Sequence, residues 1–293
     1  MPGTRIASDS LAEDFAAARA LIPNLADRAS ELFARLREPG APSPLPGWTA
    51  GDVAVHLGVA CTAYAAAATG DFGVLDEFGA SALPPHASLT TRIANLNALA
   101  LARLAPTPDA HRATPKRLRS AAEAIVAATA KPRDPAEPCP VPWFGEDVSL
   151  PLSTVVGLFL SETLLHTLDA ARASRQKWPV RPGTARLIIS LVFPEMMPRT
   201  VHPDRAAKLN AVVHLHIRGG ITIGLEIDGG EVRTVRDPVG GRADCHLSLD
   251  PVGLLLAASG RASQNRQIAA GRMISYGRKP WLAPQVARLF GFP

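Results

Sequence analysis

The chain has 293 residues, 47% hydrophobic and 19% charged, which excludes a disordered protein, and its 23 glycines and 27 prolines lack the period of a collagen. At roughly 150 residues per domain, this length fits two domains, each able to bury its own core. The formal net charge of +5 reflects 31 basic against 26 acidic residues, but only five of the basic residues are lysines and the arginines are scattered, so no nucleic-acid partner is expected. Three cysteines, Cys61, Cys139 and Cys245, odd in number and far apart, fit a reducing compartment better than a disulfide framework, with the cytoplasm as the default. The N-terminal MPGTRIASDSLAEDF lacks the layout of a signal peptide, and the most apolar run, Val155 to Leu160, ends at Ser161 and Glu162, short of the ~20 residues that span a bilayer. No membrane partner is expected.

From Leu11 to Leu36, apolar residues recur at helical spacing until Glu38-Pro39-Gly40 breaks the pattern, predicting a long first helix kinked at Pro23. Pro42 to Gly47 is a loop. Thr49 followed by Asp52 is a capping-type start for a second helix that runs to about Ala68 and carries His56. After a loop rich in glycine and proline, Leu89 to Leu104 and Pro115 to Ala130 read as helices separated by the Pro106-x-Pro108 break. Pro132 to Pro151 holds six prolines, Trp143 and the pair Glu146-Asp147, and is expected to be an irregular covering or packing loop. Leu152 to Arg175 gives the strongest helix, bearing Glu162, His166 and Asp169. Helices with long connections predict a bundle.

Composition changes past Trp178 to Gly183. After a helical stretch around Ala185 to Val192, Val212 to Ile217, Ile221 to Ile227 and Glu231 to Arg236 form three short strands joined by glycine turns, an antiparallel meander. Cys245 to Leu249 adds a strand, Asp250-Pro251 opens a helix to Ala258, and Gln264 to Ala270, Met273 to Tyr276 and Trp281 to Phe290 alternate helix, strand and helix. The expected architecture is therefore an all-helical domain over residues 1–178 followed by an α+β domain, built on an antiparallel sheet, over 183–293.

Glu162 and His166 stand i, i+4 on one helix face and can grip one ion, although an ordinary hydrogen-bonded or exposed pair has the same spacing. His56, flanked by Val53, Val55, Leu57 and Val59, is the natural third ligand; a satisfied core histidine is the alternative. The stretch Leu45-Pro46-Gly47-Trp48-Thr49-Ala50-Gly51-Asp52-Val53-Ala54-Val55-His56-Leu57 resembles the "PGWT…DV…HL" signature of the mycothiol-dependent maleylpyruvate isomerase N-terminal domain, a relative of DinB-like metal-binding four-helix bundles. Leu164 to Arg172 is similar to that family's "H-x-x-D-x-A-R" helix end. The resemblance implies a DinB-like bundle with a divalent metal, usually taken as zinc (Zn2+), on His56, Glu162 and His166. The order Gly241 to Asp250, Gly260-Arg261-Ala262, Gly271 to Gly277 and Leu289-Phe290 resembles the sterol-carrier-protein-like domain that often follows such a bundle.

Three protein ligands leave one zinc position open, and a zinc-bound thiol is held as thiolate at neutral pH. The resemblance thus implies an enzyme that uses mycothiol as co-substrate. The thiol adds to the cis double bond of a dicarboxylate, rotation follows, and elimination releases the trans product; thiol transfer to another small-molecule electrophile would need the same parts. Alternatives are a non-catalytic carrier of small molecules or lipids, with an apolar tunnel in the second domain, and a metal-dependent hydrolase of a thiol conjugate. The assembly would be a monomer or homodimer.

Asp169 is a candidate to orient a ligand imidazole within the catalytic set, an ordinary surface Asp being the alternative. Arg172 and Arg175, about two turns beyond His166 but rotated from its face, are candidates to bind anionic groups of substrate and thiol, or else to neutralise the helix C-terminus. Asp52 reads as a cap. Cys61 reads as a small core residue rather than a nucleophile. His214 and His216 share one face of a strand, but no third ligand is apparent near them in sequence, so a solvent-facing strand surface is expected.

Overall fold

The computed structural model describes residues 3–73, 89–104, 109–145 and 147–291, with side chains from residue 10 onward except that of residue 90. The Pro106-x-Pro108 break, Glu146 and most of the glycine- and proline-rich loop before Leu89 lie outside the described residues. The chain divides into two compact units, Phe15–Val180 and a second made of Met1–Asp14 with Arg181–Pro293.

The first unit is helical. Its elements are α1 (Gly3–Ala34, whose first turns belong to the second unit), α2 (Ala50–Thr69), α3 (Leu89–Leu104), α4 (Thr114–Ala128) and α5 (Leu152–Ala173). Four of them supply the core, with Ile22 of α1, Leu57 of α2, Leu118 and Ile125 of α4, and Phe159 and Leu160 of α5 wholly buried. The helix α1 runs antiparallel to α4: Arg19 donates to Thr129, Arg119 to Asp27, and the Ser30 hydroxyl to the Pro115 carbonyl. The helix α2 packs against both α4 and α5. Among the described residues, α2 is the one helix long and apolar enough to cross a membrane, and 67% of its apolar window is buried within the protein, as the central helix of a bundle requires.

The proline-rich stretch is more ordered than its sequence predicts. Strands β1 (Pro138–Pro140) and β2 (Ser149–Pro151) pair as an antiparallel two-stranded ribbon, a setting that tolerates proline because both strands are edges. Arg133 fastens the stretch to α2: its guanidinium donates to both Glu137 carboxylate oxygens at 2.6 and 2.8 Å and to the Ala68 carbonyl at 2.7 Å. Trp143 lies edge-on to Tyr64 of α2, with ring centroids 5.7 Å apart.

The second unit is α+β. It begins with α6 (Pro182–Met196) and the short α7 (Pro203–Ala206), then β3 (Ala211–Ile217), β4 (Thr222–Asp228), β5 (Glu231–Arg236) and β6 (Cys245–Leu249). It closes with α8 (Pro251–Ala258), α9 (Gln264–Ala269), β7 (Met273–Tyr276) and α10 (Ala283–Ala287). The strand order is β5-β4-β3-β6-β7. Every neighbouring pair is antiparallel except β3 and β6, which run parallel, with His214 opposite His246. One sheet face, with Val213, Leu215, Ile223, Leu225 and Leu249, is buried; the other leaves Val235, Ile274 and Tyr276 exposed.

Residues 1–14 join this unit for an electrostatic reason. Asp14 is buried and accepts hydrogen bonds from the Ser190 hydroxyl and, at 2.7 Å, from Arg236, while Arg236 also donates to the Ser190 carbonyl at 2.9 Å. A buried carboxylate is tolerated only when paired and hydrogen-bonded in this way.

Candidate metal centre

The first helix turn that matters is that of α2. Thr49 caps it: the Asp52 backbone N–H donates to Thr49 Oγ1 at 3.1 Å, and the Thr49 N–H donates back to the Asp52 carboxylate at 2.8 Å. This capping box fixes the start of α2 and gives Asp52 its role. Two turns on, His56 is buried and directed at α5. Gly58 lets α4 close in on the next turn, since a Cβ there would come within 3.3 Å of Arg117 Cδ. Thr114 adds a hydrogen bond of 2.7 Å to the Ala54 carbonyl.

On α5, the i, i+4 spacing of Glu162 and His166 places them on one face as expected. Glu162 Oε2 lies 3.3 Å from His56 Nε2 and 3.1 Å from His166 Nε2. The two imidazole rings meet edge-on with centroids 4.6 Å apart, and Trp48 abuts His56 edge-on at 5.1 Å. One donor atom from each of His56, Glu162 and His166 falls within 4.8 Å of the others.

Asp169, one turn further on and fully buried, lies 3.3 Å from His166 Nδ1. Asp169 is placed to accept Nδ1–H, and with an ion in place this would leave the Nε2 lone pair facing the cluster, the arrangement typical of a metal-ligating histidine; with no ion, Nε2–H of the protonated ring donates to Glu162. For Glu162, burial is the largest single influence and raises the pKa. The His166 charge, with hydrogen bonds from His166 and His56, outweighs it and holds the carboxyl below its usual range. The donor set therefore fits a divalent ion of the zinc type: two imidazole nitrogens and one carboxylate oxygen, with a second carboxylate, Asp169, behind one of the imidazoles.

The other candidates fall outside this cluster. Arg172 is exposed in the last turn of α5, and Arg175 is exposed just past it with φ +54°, the left-handed conformation that closes a helix. Cys61 is buried, with its sulfur 3.6 Å from Thr163 Oγ1; burial pushes its thiol up, and Glu162 adds to the rise. It is a core residue. In the second unit, the structure brings His246 to the pair His214 and His216, a neighbour that the sequence reading missed. The missing signal is the β3–β6 pairing, which joins residues far apart in the chain.

A helical bundle carrying such a cluster, followed by an α+β unit with a largely antiparallel sheet, defines the class of protein. Residues 22–171 match the family described as mycothiol maleylpyruvate isomerase N-terminal domain, about half of the chain, and residues 195–275 match the SCP-2 sterol transfer family. The chain belongs to the mycothiol maleylpyruvate isomerase family.

Among solved structures, similarity is found to a mycothiol-dependent maleylpyruvate isomerase in a histidine-to-alanine mutant and in a second crystal structure. Both are 14% identical, covering 90% of this chain and 92% of the other, with TM-scores of 0.49 and 0.47. A sec-alkylsulfatase from Pseudomonas sp. is also 14% identical, covering 70% of this chain and 30% of its own, with a TM-score of 0.31. Family membership rests on the match over residues 22–171 and not on these distant likenesses. Among curated proteins nothing matches.

Proposed function

We propose that this protein is a metal- and thiol-dependent isomerase or S-transferase, with mycothiol as its thiol and a small electrophile as its substrate. The observation that carries the reading is the convergence of His56, Glu162 and His166 on one point, with Asp169 behind His166. A zinc-type ion supplies, when bound, a lowered pKa for a coordinated thiol and so a nucleophile at neutral pH. The chain's own contribution is to hold and orient. His56 and His166 present Nε2, Glu162 presents an ionised oxygen, and Asp169 keeps the proton of His166 on Nδ1. Trp48 packs against His56 and limits its rotation. Arg172 and Arg175 are the cations proposed to bind anionic groups of thiol and substrate at the end of α5.

A second observation supports an external thiol. All three cysteines are buried, and burial pushes the thiol of each upward, so none is a thiolate at neutral pH. On this reading the attacking sulfur comes from a small molecule. The test is turnover of maleylpyruvate by untagged, zinc-loaded protein with and without mycothiol, followed as loss of the cis substrate and appearance of the trans product. His56→Ala is expected to abolish it. Thiol-independent turnover, or unchanged activity in His56→Ala, would sink the reading. Conjugate formation with other electrophiles separates transfer from isomerisation.

One feature favours an additional carrier role for the second unit. A cavity of about 200 Å³ lies beneath the sheet, lined by apolar residues including Phe193, Leu215, Leu247, Met273, Val286 and Phe290. Its lining suits a short apolar group. Displacement of a fluorescent fatty acid, blocked by Leu215→Trp, would test it.

A further inference from the structure

We propose that His214, His216 and His246 form a second site for one divalent transition-metal ion of the zinc type, on the outer face of the sheet in the second unit. The site is a product of strand register. His214 and His216 are two apart on β3 and so project from the same face. In the parallel pair β3–β6, His246 lies directly opposite His214, and residues paired across a sheet share a face. One donor atom of each ring falls within 4.8 Å of the others.

The local hydrogen bonding orients the rings as ligands. Thr222, opposite His216 on β4, places its Oγ1 3.1 Å from His216 Nδ1. With Nδ1–H donating to that hydroxyl, the His216 lone pair is on Nε2, which lies 3.0 Å from His246 Nδ1. Two ring nitrogens so close either share a proton or turn their lone pairs on a common ion. A tetrahedral set with bonds of roughly 2.0–2.1 Å has its donors roughly 3.4 Å apart, a spacing that small ring rotations can reach from three donors lying within 4.8 Å of one another. The Tyr276 ring lies nearly parallel to that of His246 with centroids 5.2 Å apart, and the His246 and His216 rings lie edge to edge in nearly parallel planes at the same centroid separation. Gly277 leaves room for the His246 ring, because a Cβ there would meet His246 Cδ2 at 3.0 Å.

Burial first, and then the neighbouring His246, lower the pKa of His214; the same causes, joined by His214, lower that of His216. Neutral imidazole is the ligating form. An all-nitrogen set of three imidazoles selects zinc, cobalt, nickel or copper over magnesium or calcium, and leaves a fourth position open. This site uses no residue of the bundle cluster and does not depend on the function proposed above.

The experiment counts metal. Untagged full-length protein is stripped with a chelator, re-equilibrated with Zn2+ and assayed for bound zinc by mass spectrometry. Wild type is expected to hold two equivalents, and His56→Ala and the double variant His216→Gln/His246→Gln one each. If wild type holds a single equivalent that survives in His56→Ala and is lost in the double variant, the sheet site stands and the bundle site fails. Zinc binding unchanged by the double variant, or wholly lost in His56→Ala, overturns the proposal. His216 and His246 are chosen because they are only partly buried, leaving the buried His214 in place. Should the double variant fail to fold, Cu2+ bound to His56→Ala protein is read by electron paramagnetic resonance. Hyperfine structure from three nitrogens supports the site, and its absence overturns it.

Discussion

The two candidate metal clusters are built by opposite means. In the bundle, two of the three groups, Glu162 and His166, come from one turn of one helix, and only His56 has to be delivered by tertiary packing of α2 on α5. In the sheet, His214 and His216 come from one strand, but the proposed site is incomplete until a parallel pairing brings in His246 from a strand three elements later. Their supports differ as well. A buried carboxylate, Asp169, stands behind the bundle cluster, and a hydroxyl, Thr222, behind the sheet cluster. A carboxylate partner raises ligand basicity more than a hydroxyl does, so of the two proposed sites the bundle is expected to bind zinc more tightly.

That comparison can be broken at its strongest point by Asp169→Asn. The loss of the carboxylate behind His166 is expected to weaken zinc binding in the bundle by about 10–100-fold, leaving the sheet cluster untouched; calorimetric titration of Zn2+ into the two-site protein reads both. Equal weakening at both sites would erase the distinction. The converse probe is Gly277→Ala. Gly277 has φ +101°, and an added Cβ would press on His246 Cδ2. The substitution is expected to cost about 1–3 kcal/mol in backbone strain and to displace His246, so the sheet site weakens while the bundle site and mycothiol-dependent turnover persist. Thermal melts with metal counts check it.

Smaller effects sharpen the contrast between the helix start and the sheet edge. Thr49→Ala removes the cap of α2 and is expected to cost about 0.5–2 kcal/mol, measured by denaturant unfolding, with a loosened His56 as its functional trace. Asp244→Asn is the mildest. Lys279 is the main influence holding the Asp244 carboxyl below its ordinary value, helped by the Val212 N–H. A carboxyl with a depressed folded-state pKa adds stability above its unfolded pKa of about 3.9 and loses it as pH falls through the folded value. The variant is therefore expected to be less stable at pH 7 by under about 1 kcal/mol, with the gap closing in acid below about pH 4. Unfolding curves across that range decide it, and a gap that widens in acid would contradict the assignment.

Much of this was legible in the residues themselves. Helical periodicity located α1, because an amphipathic helix must repeat its apolar residues along one face, while a cap and proline breaks marked out α2, α3 and α4. Thr49 and Asp52 announced the start of α2 by local chemistry. Glycine turns marked the ends of β3 and β4. The i, i+4 pair Glu162 and His166 was visible for the same reason: neighbours on a helix are neighbours in sequence. The order in the proline-rich stretch was not legible, since it rests on Arg133 reaching the distant Ala68 carbonyl and Trp143 reaching Tyr64.

The amino-acid sequence by itself determined the elements, the i, i+4 pair on α5 and the cap that aims α2, all of them interactions within a few residues along the chain. Only the tertiary structure decided that His56 meets Glu162, that Asp14 is drawn into the second unit by Arg236, and that His246 joins His214 and His216. Each of those contacts joins segments distant in sequence. Which segments meet is set by how whole helix faces and strands bury their apolar surface, and no local spacing encodes that choice.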